Sequence, residues 1–232
     1  MNGAMLMTYG SPVSLDEAGL ADYLRKVRGG REPDAELVTE FTRRYRVIGG
    51  SPLIQITERQ AAGLEAILGW PSAAAMRFSE PSIPTVLRQL AERGVDRVAA
   101  IILSPQFSPL LMGGYERAIE GARAAIGPGA PEAVVAGAWH LEPAFVGGLG
   151  ARIRAGIANA EQRDGMRPAV LLTAHSLPLR VAREEPGYLD QLEATALAVA
   201  AAAGLARDGW TFCWQSAGHE PGEWMKPDFA DL

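Results

Sequence analysis

Six short apolar runs, separated by amphipathic sequence, constrain this chain more than any other feature. They are "AMLMTY" (4–9), "AAAMRF" (73–78), "RVAAIILSP" (97–105), "EAVVAGAW" (132–139), "AVLLTAH" (169–175) and "WTFCWQS" (210–216). Their length and composition are those of buried strands. Helical periodicity fills the intervals near 15–27, 34–47, 55–68, 82–93, 114–125, 143–160 and 188–204. Thr57 and Ser82 stand where N-terminal caps would, and Gly94 where a helix would stop. The Ala-rich stretch 194–203 is a good helix and needs no other explanation. Strand–helix alternation of this kind predicts an α/β fold with parallel sheets covered by helices.

The turn-rich segment "GPGAPEA" (127–133) is the best internal boundary. It divides the 232 residues into 1–128 and 129–232, with three expected strands in each part. Each part is long enough for a small doubly wound domain. In such folds ligands bind beyond the carboxyl ends of the strands, often between domains.

Composition narrows the function. A net charge of −5 argues against a broad polyanion-binding surface, so no nucleic-acid partner is expected. The single cysteine, Cys213, excludes an intrachain disulfide framework and any all-cysteine centre within one chain, an iron–sulfur cluster included. The start "MNGAMLMTYG" lacks the basic and long apolar regions of a secretory signal. No run approaches the roughly 20 apolar residues of a membrane span, and a cytoplasmic location is expected.

Three expected strands end in polar or turn-rich sequence: "TYGSP" (8–12), "LSPQFSP" (103–109) and "TAHSLP" (173–178). In parallel sheets such ends share the functional edge, so His175 is either a structural strand-end residue or an imidazole offered to a ligand. His140 and His219 lack a partner at metal-ligand spacing and read as structural or surface residues. Tyr9 and Tyr115 read as core-edge residues or as phenols able to bind ferric iron. The basic groups Arg25, Lys26, Arg28, Arg31, Arg43, Arg44 and Arg46 form either a solvated helix face or a set of forks for carboxylates. The Gly pairs at 29–30, 49–50 and 113–114 have neither Walker-loop nor dinucleotide spacing.

Taken together, "LMTYGSP", "YRVIGGSPLIQITERQAAGLEAIL", "LSPQFS", "LLTAHSLP", "GYLDQL" and "FCWQSAGHEPGEWMKPDFADL" resemble the ferrochelatases across nearly the whole chain. "TYGSP" and "RGGREP" look most like the coproporphyrin III-using branch of Gram-positive bacteria. The resemblance implies two Rossmann-like domains around a porphyrin cleft, with Fe²⁺ and a porphyrin as substrates and no tightly bound cofactor. It assigns His175 as the proton acceptor or transient iron ligand, and Tyr9, on the opposite porphyrin face, as a ligand of the product iron. Arg28, Arg44, Tyr45, Ser51 and Tyr115 match positions that contact the porphyrin or its propionates.

The chain also departs from the family pattern. The family continues past "WMKPDFADL" with a helix, a buried strand and a glutamate facing the catalytic histidine, whereas this sequence ends at Leu232. An incomplete second domain is therefore expected, with an open edge suited to self-association or to a second chain. Phe78 stands where many members have histidine, "EEPGY" (184–188) replaces Gly-Asp-Pro-Tyr, and "IGGSPL" is one residue short. Glu184, Glu185 and Glu220 are the candidate substitute carboxylates. Iron insertion is the first reading. A porphyrin-binding chain with little or no turnover is the alternative, and insertion of a metal into another tetrapyrrole is a third.

Overall fold

The strand β1 (Asn2–Thr8) is buried at six of its seven positions, a pattern that requires neighbours on both edges and cover on both faces. Both are present in the computed structural model, which describes residues 1–217 and 222–232. Parallel ladders join β1 to β2 (Ser72–Met76) and to β3 (Arg97–Ile102), placing Leu6 beside Ala74 on one side and Ile101 on the other. A fourth parallel strand, β4 (Glu132–Val135), extends the sheet to the order β2-β1-β3-β4.

Five helices accompany this sheet: α1 (Glu17–Val27), α2 (Ala35–Val47), α3 (Leu53–Leu68), α4 (Ile83–Glu92) and α5 (Pro109–Ile126). Leu6, Ala74 and Met76 pack against Ala61 of α3, with Ile54 and Leu64 beside it. Met5 and Met7 point the other way and are also fully buried. Each such side chain contributes about 1.5–3 kcal/mol of transfer free energy. Asp16 caps α1 by accepting from the Gly19 amide at 2.7 Å, and Asp34 caps α2 by accepting from Leu37 at 2.8 Å.

One expected helix start differs from what is found, and the other, at Ser82, stands where expected without its side-chain cap bond. Thr57 lies inside α3, where its hydroxyl donates to the Leu53 carbonyl at 2.8 Å. A threonine satisfied by the preceding turn has no need to cap. At α4 the Ser82 backbone has the extended cap conformation, yet its hydroxyl bonds the Thr85 hydroxyl at 2.8 Å instead of a backbone amide.

The chain forms two compact units, Met1–Ser104 with Met112–Gly137, and Pro105–Leu111 with Ala138–Leu232. The expected boundary at 128/129 therefore falls too early. The Gly-Pro-Gly segment is a short turn of 3₁₀-helix that leads directly into β4. Arg97 pairs with Glu132 and Ala99 with Val134, which ties β4 to the first sheet. Glycine and proline mark turns, whereas ladder hydrogen bonds decide which unit a strand joins.

In the second unit, α6 (Pro143–Asp164) precedes β5 (Val170–His175), the short α7 (Leu179–Glu184), α8 (Pro186–Ala203) and β6 (Trp210–Gln215). Among the described residues its sheet has two parallel strands, β5 and β6, where the sequence suggested three. Helices α6 and α8 approach closely, since a Cβ on Gly150 would lie 2.8 Å from the Ala202 carbonyl carbon. The excursion 105–111 is fastened to α8 by the Gln191 amide, which accepts from Phe107 N–H at 2.8 Å and donates to its carbonyl at 3.0 Å.

Candidate functional site

Tyr9 is the first residue beyond β1, and its position is set by the chain that follows β2. The Thr8 and Tyr9 carbonyls accept from the amides of Arg77 and Phe78 at 2.9 and 3.1 Å. The Tyr9 ring is 44% exposed and packs edge-on against Phe78, with centroids 4.6 Å apart. The Arg77 guanidinium lies over two rings, 4.7 Å from the Phe78 centroid and 5.2 Å from that of Tyr115. Gly114 makes this possible, because a Cβ there would lie 1.9 Å from an Arg77 Nη. The Gly113–Gly114 pair thus admits a guanidinium to the surface of α5.

Four tyrosines of the first unit influence one another: Tyr9, Tyr23, Tyr45 and Tyr115. Burial raises the Tyr9 phenol, with Arg77 opposing and Tyr45 reinforcing the rise. Burial likewise pushes Tyr115 up to about 12 against the pull of Arg77. Tyr23 is raised far above the usual phenol range, first by burial and then by its tyrosine neighbours. Tyr45 is raised by burial and partly relieved by a hydrogen bond with Tyr23. At neutral pH the group is therefore a set of protonated phenols, and a metal ion bound by one of them must displace its proton.

Arg77 links Tyr115 with the Phe78 ring against which Tyr9 packs, and Tyr45 raises the Tyr9 phenol; the remaining expected porphyrin contacts are Arg28, Arg44 and Ser51. Arg28 is the C-terminal cap residue of α1. Arg44, on α2, donates through Nε to Glu40 at 2.7 Å, and Glu40 also receives Arg43. Those two guanidinium groups hold the Glu40 carboxyl down at about 2. Ser51 accepts from the Leu53 amide at 3.3 Å at the start of α3. In the surrounding basic cluster, Arg25 pairs with Asp22 and Glu32, and Lys26 with Asp22. Among the described residues Arg28 and Arg31 have no carboxylate within ion-pair distance, so their charge is available to an anionic ligand.

In the second unit His175 ends β5, opposite Gln215. Its Nδ1 lies 2.8 Å from the Ser176 carbonyl. A carbonyl only accepts, so Nδ1 carries the proton and Nε2 presents a lone pair. Ser176 is itself buried and fixed, its amide donating to Gln215 at 2.7 Å and its hydroxyl to the Met225 carbonyl at 3.2 Å. The imidazole is therefore held by a neighbour that cannot shift easily. His175 also lines a groove of about 560 Å³ with Arg152, Tyr188, Leu149, Leu192 and Phe212.

Of the expected substitute carboxylates, Glu184 and Glu185 make no contact with the His175 imidazole among the described residues. Glu185 accepts from the Leu110 amide at 3.2 Å, and no hydrogen bond or ion pair links Glu184 to the imidazole. Glu220 and His219 lie outside the described residues. His140 carries a buried Nδ1 with no hydrogen-bond partner among the described residues. No group of three or more His, Cys, Asp or Glu able to hold a metal ion occurs among the described residues. Cys213 is buried, and burial raises its thiol, which leaves it a packing residue.

These arrangements bear on one outcome of sequence comparison. The sequence profile of the ferrochelatases matches residues 1–232. The chain belongs to the ferrochelatase family. It is 37% identical to the ferrochelatase of Deinococcus radiodurans, over 97% of this chain and 72% of that protein. It is 32% identical to the coproporphyrin III ferrochelatase of Geobacillus kaustophilus, over 99% of this chain and 73% of that protein. Its identity to the Halalkalibacterium halodurans coproporphyrin III ferrochelatase is 33%, over 99% and 74% of the two chains. The parallel α/β sheets agree with the chelatase-type fold. Ferrochelatases insert ferrous iron into a porphyrin in haem biosynthesis, a chemistry that needs a proton acceptor and a surface for a carboxylated macrocycle. Phe78 supplies the ring against which Tyr9 packs. Sequence reasoning missed Tyr23, Arg77 and Ser79. The Gly113–Gly114 pair was the one available signal for Arg77.

Proposed function

We propose that this ferrochelatase-family chain inserts Fe²⁺ into coproporphyrin III, with His175 as proton acceptor or transient iron ligand and Tyr9 as ligand of the product iron. The observation that carries the reading is the His175 tautomer: Nδ1–H is spent on the Ser176 carbonyl, so Nε2 is free to take a proton or a metal. Insertion breaks two pyrrole N–H bonds and forms iron–nitrogen bonds, releasing two protons with no change of oxidation state. Nε2 accepts pyrrole protons and returns them to water. In the same reading Tyr45, Tyr115 and Ser51 contact the macrocycle, and Arg28 and Arg44 pair with its carboxylates. Two observations support a tetracarboxylate: the unpaired Arg28 and Arg31 in an acidic chain, and relatives named coproporphyrin III ferrochelatase.

The protein is proposed to act in the cytoplasm. Among the described residues no helix is long and apolar enough to cross a membrane. The proposal extends to a partner. Among the described residues β5 pairs on one side only, whereas the far side of β6 meets Pro227 and Asp228. A strand from another chain, a second copy included, fits the unpaired side of β5.

The test is anaerobic Fe²⁺ insertion by the parent chain and His175→Ala, each with coproporphyrin III and protoporphyrin IX. The parent is expected to metallate coproporphyrin III faster. The variant should lose roughly 10²–10⁴ in rate while binding the porphyrin within a few-fold of the parent. Equal rates for the two proteins overturn the role of His175. Tight binding without turnover by the parent overturns iron insertion in favour of a binding function.

A further inference from the structure

We propose that Tyr23 is a positioning residue for Tyr9, its hydroxyl fixing the turn that carries the Tyr9 phenol. This inference rests on the proposed role of Tyr9 as ligand of the product iron.

Tyr9 is held largely through its backbone. Its ring is half-exposed, so its place depends on the backbone on either side of it. The chain turns at Gly10, whose φ of +91° is open to glycine and strained for other residues. Space is short as well, since a Cβ on Gly10 would lie 2.3 Å from Ser79 Oγ. Three fastenings come from the segment after β2. The Arg77 and Phe78 amides donate to the Thr8 and Tyr9 carbonyls, and Ser79 Oγ accepts from the Ser11 amide at 3.2 Å.

The Gly10 carbonyl sits in the same buried turn and needs its own donor. It receives one from the Tyr23 hydroxyl at 3.1 Å. Tyr23 belongs to α1 and is itself buried, so the bond ties the turn to that helix.

Removing the hydroxyl should leave the ring packing of α1 intact and free the turn on one side. The experiment is binding of ferric coproporphyrin III to the parent, Tyr9→Phe, Tyr23→Phe and the double variant, read by the tyrosinate-type absorption of the complex. Tyr9→Phe is expected to abolish that absorption. Tyr23→Phe is expected to keep it in weakened form and to lower affinity about two- to tenfold, the worth of one ordinary hydrogen bond. In the Tyr9→Phe background, Tyr23→Phe should leave the remaining spectrum unchanged. Ser79→Ala, which removes the other side-chain fastening and leaves Tyr23 in place, should weaken the absorption in the same direction. Parental absorption and affinity in Tyr23→Phe, with Tyr9→Phe still losing the absorption, overturn the positioning role alone. Persistence of the absorption in Tyr9→Phe overturns the ligand assignment itself, and the positioning role with it.

Discussion

The two sheets of this protein end in edges of different kinds. In the first unit the edge strand β2 is guarded: Glu65 of α3 accepts from the Ser72 amide at 2.8 Å and pairs with Arg93 at 2.9 Å. A charged side chain placed against an edge amide discourages a further strand from pairing there. In the second unit β5 alternates between half-buried and exposed positions, and five consecutive residues, Leu171–His175, line the groove beside it. Central β1 is buried almost throughout, while Leu171 of β5 remains 41% exposed. The first unit therefore has a core closed within itself. The second has its catalytic candidate on a strand with one side unpaired among the described residues.

The sharpest test of that contrast is core truncation. Leu87 of α4 is fully buried in the first unit, and Leu87→Ala is expected to cost about 2–5 kcal/mol in urea unfolding. A loss below about 1 kcal/mol would show that the first core is looser than its burial implies.

A smaller effect separates the units at high pH. All five tyrosines have raised pKa values, four in the first unit and Tyr188 in the second. For a group whose folded pKa is raised, the stabilisation is full below the unfolded value of about 10 and is lost as pH rises through the folded value. Tyr115 sets part of that loss at about 12, and Tyr23 carries it higher still. The first unit should consequently weaken more steeply than the second across that window. Near pH 10 the unfolded chain is about half ionised, so native protein should show much less tyrosinate absorbance than protein in urea. Equal absorbance in the two states breaks the expectation.

The smallest change in stability with a distinct readout comes from Leu171→Lys. At a site this exposed, the substitution should change unfolding free energy by less than about 1 kcal/mol. If the β5 edge recruits a second copy, the charge should shift sedimentation toward the monomer as protein concentration rises. A parent chain that is monomeric at every concentration removes the second copy as partner.

Much of the fold was legible because burial leaves a local imprint. All six expected strands are present, with β1 readable from "AMLMTY" and β5 from "AVLLTAH". The helix 179–184 was not foreseen, since six residues after a proline are too few to show a period. His175 was legible as a polar residue ending an apolar run. Tyr23 was not, because at its place in α1 a buried phenol reads as one more core residue. Its partner, the Gly10 carbonyl, lies 13 residues away, and Ser79 meets Ser11 across 68 residues.

The order of the six strands and of the longer helices, and the family, were determined by the sequence alone. Each depends on neighbouring residues or on a short motif. The tertiary structure alone decided that 132–135 joins the first sheet, that Arg77 rests on Gly114 between two rings, and that Glu185 serves the Leu110 amide and not His175. Those outcomes turn on which distant backbone groups find partners and which cavities a side chain can enter. Periodicity along the chain carries no record of either, because pairing across a fold is settled by burial and hydrogen bonding between segments far apart in sequence.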